Sequence, residues 1–424
     1  MTKIDLPYGK GYMSADLPND RVNAVLVSDM HHYTPDKSQL DLVKEALYSP
    51  IGTPRLRDMA VGKEKVCIIA SDHTRPVPSK VIMPLMLEEV RRGNPSADIT
   101  ILISTGCHRG TTEEELLFKF GSEIMQNEKI YIHDCDDESM LVDIGMLPSG
   151  GKMILNKIAL DADLLISEGF IEPHFFAGYS GGRKSVLPGI ASRTTVMYNH
   201  NATFVDDEKA RTGVIEGNPI HKDMLFAARA ARLDFICNVV INSDKDVIYA
   251  VAGDCDLAHI EGRKFLNSMC KVNAVPSDIV ITTNGGYPLD QNIYQAVKCM
   301  TAAEATIKKG GVMIIGAKSN DGHGGEHFYK TFRDEKDLNK MMTGFLNTPS
   351  ENTIPDQWQS QIFARILRDY TVIYISDADG GIVRDLHMIP ARSIEEALAK
   401  ADEILGNSQS KITVIPDGVS VIVM

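Results

Sequence analysis

Four short segments are rich in glycine or proline, and three of them carry histidine or arginine. They are Ser71-Asp72-His73-Thr74-Arg75-Pro76, Thr105-Gly106-Cys107-His108-Arg109, Glu168-Gly169-Phe170-Ile171-Glu172-Pro173-His174 and Asn284-Gly285-Gly286-Tyr287-Pro288. Imidazole, with an ordinary pKa of about 6.5, suits general acid–base work near neutrality. A guanidinium offers a bidentate fork to a carboxylate. Any one of these residues alone is an ordinary surface feature. Their recurrence at equivalent points of the chain points to a shared site.

The segment 174–200 is the richest, running from His174 through Gly178-Tyr179-Ser180-Gly181-Gly182-Arg183-Lys184-Ser185 to Tyr198-Asn199-His200. Three readings compete there. Gly178 to Gly182 fits the Gly-x-Ser-x-Gly elbow of serine hydrolases, which needs a strand directly before Ser180 and a helix directly after. Pro173, Gly178 and Pro188-Gly189 speak against that setting. Gly178 to Ser185 nearly matches a phosphate loop, but Arg183 stands where the second glycine belongs. An anion could still meet the amides of Gly181 and Gly182 and the side chain of Arg183. In the third reading Lys184 is a covalent anchor or nucleophile, activated by apolar surroundings and a cationic neighbour. His323-Gly324-Gly325-Glu326-His327 also fits a zinc motif, H-x-x-E-H. That motif needs a helix, and two glycines there each cost about 1 kcal/mol relative to alanine. Residues 320–327 therefore read as a ligand-side loop.

Elements that could position these groups follow from periodicity. Apolar runs at 66–70, 99–104, 163–167, 279–283, 312–315 and 371–375 read as buried strands. Amphipathic stretches at 79–92, 113–120, 291–308 and 394–405 read as helices, two of them opened by capping boxes at Thr112/Glu115 and Ser393/Glu396. Strand, loop and helix in alternation predict an α/β fold with mainly parallel sheets flanked by helices. Residues 235–241 and 247–252 predict a hairpin instead. The expected division is an N-terminal domain over 1–270, a C-terminal domain over 271–410, and a terminal strand segment, 411–424, that could join either sheet. In open parallel sheets ligands bind beyond the carboxyl ends of strands, where the histidine-bearing loops fall.

Composition narrows the partners. Of 424 residues 43% are hydrophobic and 24% charged, which is globular usage. A net charge of −13 without a basic run disfavours nucleic acid and anionic membranes as partners. No apolar stretch reaches the length needed to span a bilayer, about 18 residues. The seven cysteines are odd in number and form no C-x-x-C pair, so neither a disulfide framework nor a structural zinc site is expected. Without an export signal at the start, the expected compartment is the cytoplasm.

Taken together, the segments at 71–76, 105–109 and 168–185 resemble the nickel-dependent lactate racemase family. So do Asn284 to Lys298 and Ile354-Pro355-Asp356-Gln357-Trp358. The resemblance spans nearly the whole chain. It implies two α/β domains with the active site in the cleft between them. It implies a nickel-pincer nucleotide (pyridinium-3-thioamide-5-thiocarboxylic acid mononucleotide), tethered through Lys184, with His200 as a nickel ligand. By motif position His108 and His174 correspond to the acid/base pair. Asp72, Arg75, Gln295 and Lys298 correspond to substrate-side groups. Tyr294 and Trp358 line the pocket, with Gly181, Gly182 and Arg183 beside the cofactor. The implied substrate is lactate or a close 2-hydroxy acid, and accessory proteins synthesise the cofactor. The chemistry is coherent. Removing hydrogen as a proton beside a carboxylate is very unfavourable, whereas hydride removal needs an acceptor plus a base for the hydroxyl proton, and two enantiomers need two bases. A serine hydrolase using Ser180 and a non-catalytic anion- or nucleotide-binding protein are the alternatives.

Overall fold

In a computed structural model the chain is described over residues 1–424 except His32 and Ser243. It divides into two units. One contains Met30–His200 and Lys209–Ser268; the other contains Met1–Asp29, Asn201–Glu208 and Met269–Met424. This corrects the expected contiguous domain over 1–270, because the first 29 residues belong with the C-terminal part. The reason is strand pairing: Val22–Val25 lies parallel to Ile412–Ile415 at the edge of the second sheet.

The first unit is built on a six-stranded sheet ordered Val247–Gly253, Leu233–Ile241, Leu164–Phe170, Lys65–Ser71, Asp98–Ser104, Lys129–Ile132. All neighbours are parallel except the hairpin of Leu233–Ile241 with Val247–Gly253. Ser243, between these two strands in sequence, lies outside the described residues. The central strands are buried on both faces, as their unbroken apolar runs require. Helices Ser79–Gly93 and Glu113–Phe120 follow their strands, the latter opened by a complete Thr112/Glu115 capping box. The chain builds outward from Lys65–Ser71 on one side, then returns to place Leu164–Phe170 on the other. That reversal makes a topological switch point, where the carboxyl ends of two neighbouring strands diverge and leave a crevice.

The second unit has its own parallel sheet, ordered Ile389–Ala391, Thr371–Ile375, Ile307–Gly316, Ser277–Thr283, Ile412–Ile415, Val22–Val25. The terminal segment thus joins this sheet, and Ile422–Val423 pairs with Lys271–Val272. The helix expected over 291–308 ends at Glu304, since Ile307 already opens a strand. Ser393 caps its helix by accepting from the Glu396 amide, while the Glu396 carboxylate reaches the Arg392 amide, so this box is only half formed. No described helix is long and apolar enough to cross a membrane.

Candidate active site

At the switch point of the first sheet, Asp72 follows Lys65–Ser71, and the loop bearing His174 and Lys184 follows Leu164–Phe170. This strand is longer than its apolar run, so Glu168, Gly169 and Phe170 lie inside it rather than in the loop expected from sequence.

The first half of the site is polar. Asp72 is buried, and its carboxylate accepts from His108 Nδ1 at 2.7 Å, from the Thr74 amide at 3.1 Å and from the Thr74 hydroxyl at 2.7 Å. Burial pushes the Asp72 carboxyl up, but the bonds from His108 and Thr74 and the charge of Arg75 outweigh it, leaving the pKa below the usual value. A carboxylate accepting from Nδ1–H fixes the ring's orientation and leaves Nε2 to exchange a proton. The His108 side chain is 48% exposed, so that atom is open to a ligand. Arg75 is exposed beside it, its guanidinium donating to Thr74 Oγ1 at 3.4 Å. The His108 loop is tied to the 174–200 segment through the Gly106 amide, which donates to Gly189 O at 3.0 Å.

The second half is aromatic and dry. Phe176 is buried and meets His174 and His200 edge-on, at 4.6 and 5.2 Å between ring centroids. Lys184 Nζ lies 5.7 Å from the same ring and 3.2 Å from His174 Nε2. The Ala177 amide donates to His174 Nδ1 at 3.3 Å. That bond makes Nδ1 the acceptor of the ring, so Nε2 is the atom that faces the Lys184 amine. His200 ends the helix Arg193–Asn199, which Ser192 caps by accepting from the Thr195 amide. Its Nδ1 lies 3.1 Å from Val196 O and must donate there, so the Nε2 lone pair is the ligating one. Burial and then the nearby Lys184 charge depress the His200 pKa to about 3. A neutral imidazole with a fixed tautomer is a fitting donor for a late first-row divalent ion.

Arg183, expected beside the cofactor, is turned the other way. It is 1% exposed. Nε donates to His221 Nδ1 at 3.1 Å, Nη2 to Ala177 O at 2.8 Å, and Nη1 to Gly181 O at 3.2 Å and Ser180 O at 3.4 Å. Its guanidinium is therefore spent on holding the loop, and the anion-contact reading of Arg183 is corrected. The Gly182 amide is likewise spent, donating to Asn238 Oδ1 at 2.7 Å. Gly181 has φ +75°, and a Cβ there would sit 2.7 Å from both Phe170 O and Asn238 Oδ1. Glycine is required because the loop passes directly over the strand ends. Ser180 is no nucleophile. Its hydroxyl donates to Phe170 O at 3.0 Å and accepts from the Glu172 amide at 2.9 Å, while His259 Nε2 meets the Ser180 carbonyl instead. His323 and His327 do not share one helix face either, since the helix starts only at Glu326.

In the second unit Tyr294, Gln295 and Lys298 lie on the helix Ile293–Glu304, capped by Asn292 through the Gln295 amide. Gln295 and Lys298, three apart, share a partly exposed face. The Tyr294 hydroxyl donates to Asp356 Oδ1 at 2.6 Å, two residues before the half-buried Trp358. Sequence reasoning passed over Thr74, Phe176 and Asn238. Asn238 carried a signal, an amide in the middle of the apolar run 235–241, because a buried polar side chain needs a partner.

Residues 8–213 match the model of the lactate racemase N-terminal domain, and residues 272–423 that of the C-terminal domain. The chain belongs to the lactate racemase family. It is 53% identical over 424 residues to the lactate racemase of Thermoanaerobacterium thermosaccharolyticum, covering all of this chain and 99% of that one. With the lactate racemase of Lactiplantibacillus plantarum it shares 51% over the full length of both. The lactate racemase apoprotein structure from Thermoanaerobacterium thermosaccharolyticum superposes with a TM-score of 0.97, at 52% identity and full coverage of both chains. A Thermotoga maritima protein with a TM-score of 0.66 and 18% identity, covering 91% of this chain and 98% of its own, shares the fold alone. Membership in this family makes the chain an enzyme of the racemase class.

Proposed function

We propose that this enzyme interconverts D- and L-lactate, or a closely related 2-hydroxy acid, by removing and returning the α-hydrogen as hydride. The observation that carries the reading is the grouping of His174, Lys184 and His200 around Phe176 at the sheet's switch point. Lys184 would hold a nickel-pincer nucleotide through its amine, and His200 Nε2 would ligate the nickel. When bound, that group supplies the hydride acceptor. His108 Nε2 takes or gives the hydroxyl proton for one enantiomer and His174 Nε2 for the other. Asp72 holds His108 in the tautomer this requires. With its amine joined to the cofactor, Lys184 would no longer occupy His174 Nε2, which would leave that atom for the substrate.

Arg75 supplies the fork for the substrate carboxylate, and Gly181 and Gly182 let the backbone approach the cofactor closely. Gln295 and Lys298 keep the substrate-side role, and Tyr294 and Trp358 the pocket-lining role, that the family resemblance gives them. Accessory proteins supply the cofactor in the cytoplasm, so protein made without them is the apo form.

Denaturing mass spectrometry of Lys184→Arg made alongside the cofactor-synthesis proteins tests the tether. The expected result is no adduct and no racemisation, because a guanidinium keeps the charge but cannot form the thioamide. An adduct of wild-type mass on this variant would sink the assignment.

A further inference from the structure

Two of the seven cysteines lie together beside the acid/base loop, and nothing in the racemisation uses them. Cys107 directly precedes His108, beyond the end of Asp98–Ser104. Cys135 lies beyond the end of the neighbouring strand Lys129–Ile132. The two loops are stitched together: the His133 amide donates to Ile103 O at 3.0 Å and the Thr105 hydroxyl to His133 O at 2.6 Å. This sets Cys107 and Cys135 side by side at the ends of paired strands, near enough for each thiol to shift the other's proton affinity. Cys135 is buried and Cys107 half-buried; the other five cysteines are buried. Arg193 adds positive charge near both thiols, its amide donating to Cys135 O at 3.1 Å and its guanidinium paired with Asp136.

We propose that Cys107 and Cys135 are a reversible oxidation site, closing to a disulfide in the presence of a hydroperoxide and displacing His108 as they do.

The environment supports thiolate formation. The bond from the Cys107 thiol, and the Arg193 charge, hold the Cys135 pKa below the usual thiol value despite burial. The interaction with Cys135 and burial push the Cys107 thiol up, so the pair's remaining proton stays on Cys107 and Cys135 is the thiolate. The Cys135 thiolate attacks one peroxide oxygen; the O–O bond breaks, and hydroxide leaves and takes up a proton as water. The Cys135 sulfenic acid is then attacked by the Cys107 sulfur. The S–S bond forms, the S–O bond breaks, and hydroxide departs with the Cys107 proton as a second water. Two thiols have lost two electrons and two protons, and the peroxide is reduced to two waters. A disulfide demands a particular geometry at both Cβ atoms, which the two free cysteines do not yet have. The tight turn from Thr105 to His108, closed by the His108 amide donating to Thr105 O at 3.0 Å, must give way, and with it the bond from His108 to Asp72.

The effect on activity rests on the reading of His108 as an acid/base; the crosslink does not. The experiment exposes holoenzyme to hydrogen peroxide, alkylates remaining thiols under denaturing conditions and maps peptides. It also follows racemisation before and after dithiothreitol. The expected result is a Cys107–Cys135 crosslink that dithiothreitol removes, with several-fold loss and recovery of activity. Cys135→Ser and Cys107→Ser should each form no crosslink and resist that reversible loss. Alkylation of both thiols after peroxide, or oxidation of Cys135 to sulfinic acid without crosslinking, would overturn the site. A crosslink with unchanged activity would overturn the displacement of His108. Inactivation equal in wild type and Cys135→Ser, not restored by reductant, would place the sensitivity elsewhere and overturn the switch. Should His108→Ala remain active, the acid/base reading fails on its own, independently of the mapped crosslink.

Discussion

His108 and His200 are the same residue in opposite surroundings. His108 stands half in solvent with a buried carboxylate on Nδ1. His200 is enclosed beside Phe176, with a backbone carbonyl on Nδ1 and its pKa down to about 3. A carboxylate partner supports the imidazolium that forms when a proton is taken up, whereas a dry pocket with a lysine nearby opposes it. The first environment suits a group that must change charge in each turnover, the second one that must stay neutral. His174 lies between the two, hydrogen-bonded to a backbone amide and to Lys184 but within the aromatic group.

The largest expected effect tests the dry side. His200→Ala should keep the cofactor adduct on Lys184 yet lose nickel, and activity with it. Metal analysis beside denaturing mass spectrometry reads both; full nickel occupancy would end the ligand assignment. Next come the acid/base groups. On the proposed two-base scheme, in which each enantiomer uses both histidines in one turnover, His108→Ala and His174→Ala should each lower racemisation in both directions by about 10²–10⁴-fold. Circular dichroism should be unchanged, because loops at strand ends contribute little to the core. Near-full activity in either loaded variant would contradict the two-base scheme.

A smaller effect belongs to Arg75→Lys. Losing one charge-assisted bond of the fork costs roughly 1.5–3 kcal/mol, or about 10–100-fold in kcat/KM. Unchanged kinetics would move Arg75 from substrate to scaffold.

The smallest effect is on stability and concerns the dry side again. Burial pushes the His221 pKa down to about 3 and lowers those of His259 and His133, nearby cations adding to it at the first two. These rings stay neutral in the folded protein while the unfolded chain takes up protons below about pH 6.5. Folding therefore binds fewer protons, and stability falls as pH drops from above 6.5 toward the folded values. The urea midpoint of the apoprotein should decline between about pH 7 and pH 4, and His221→Gln should lessen the slope. A flat midpoint across that range would show that these rings are protonated in the native state.

Much of this arrangement was legible beforehand, and the exceptions share a cause. Strands such as 66–70 and 371–375 and the helix Glu113–Phe120 declare themselves through local pattern and capping. The capping box at Ser393 went half-unmade because the Glu396 carboxylate found the neighbouring Arg392 amide. Asp72 and His108 were recognisable as residues, but Thr74 as the second support of Asp72 was not, since a threonine in a loop carries no mark of what it faces.

Arg183 and Lys184 show where sequence stops. They are adjacent cations in one glycine-rich loop, and from the chain alone either could face a ligand. The turn Gly182–Ser185 is a 3₁₀ helix, in which successive side chains diverge by about 120°. One cation goes inward to three backbone carbonyls and His221, the other outward to His174. The sequence by itself determined the family, the alternation of strands and helices, and the inventory of imidazole, guanidinium, amine and carboxylate at the strand ends, because these reside in residue type and short-range spacing. Only the tertiary structure decided that Val22–Val25 closes the second sheet, that Ser180 is locked to the backbone, and that Phe176 draws His174, Lys184 and His200 together. Those outcomes depend on partners distant in the chain, and a side chain's environment is set by what folds against it.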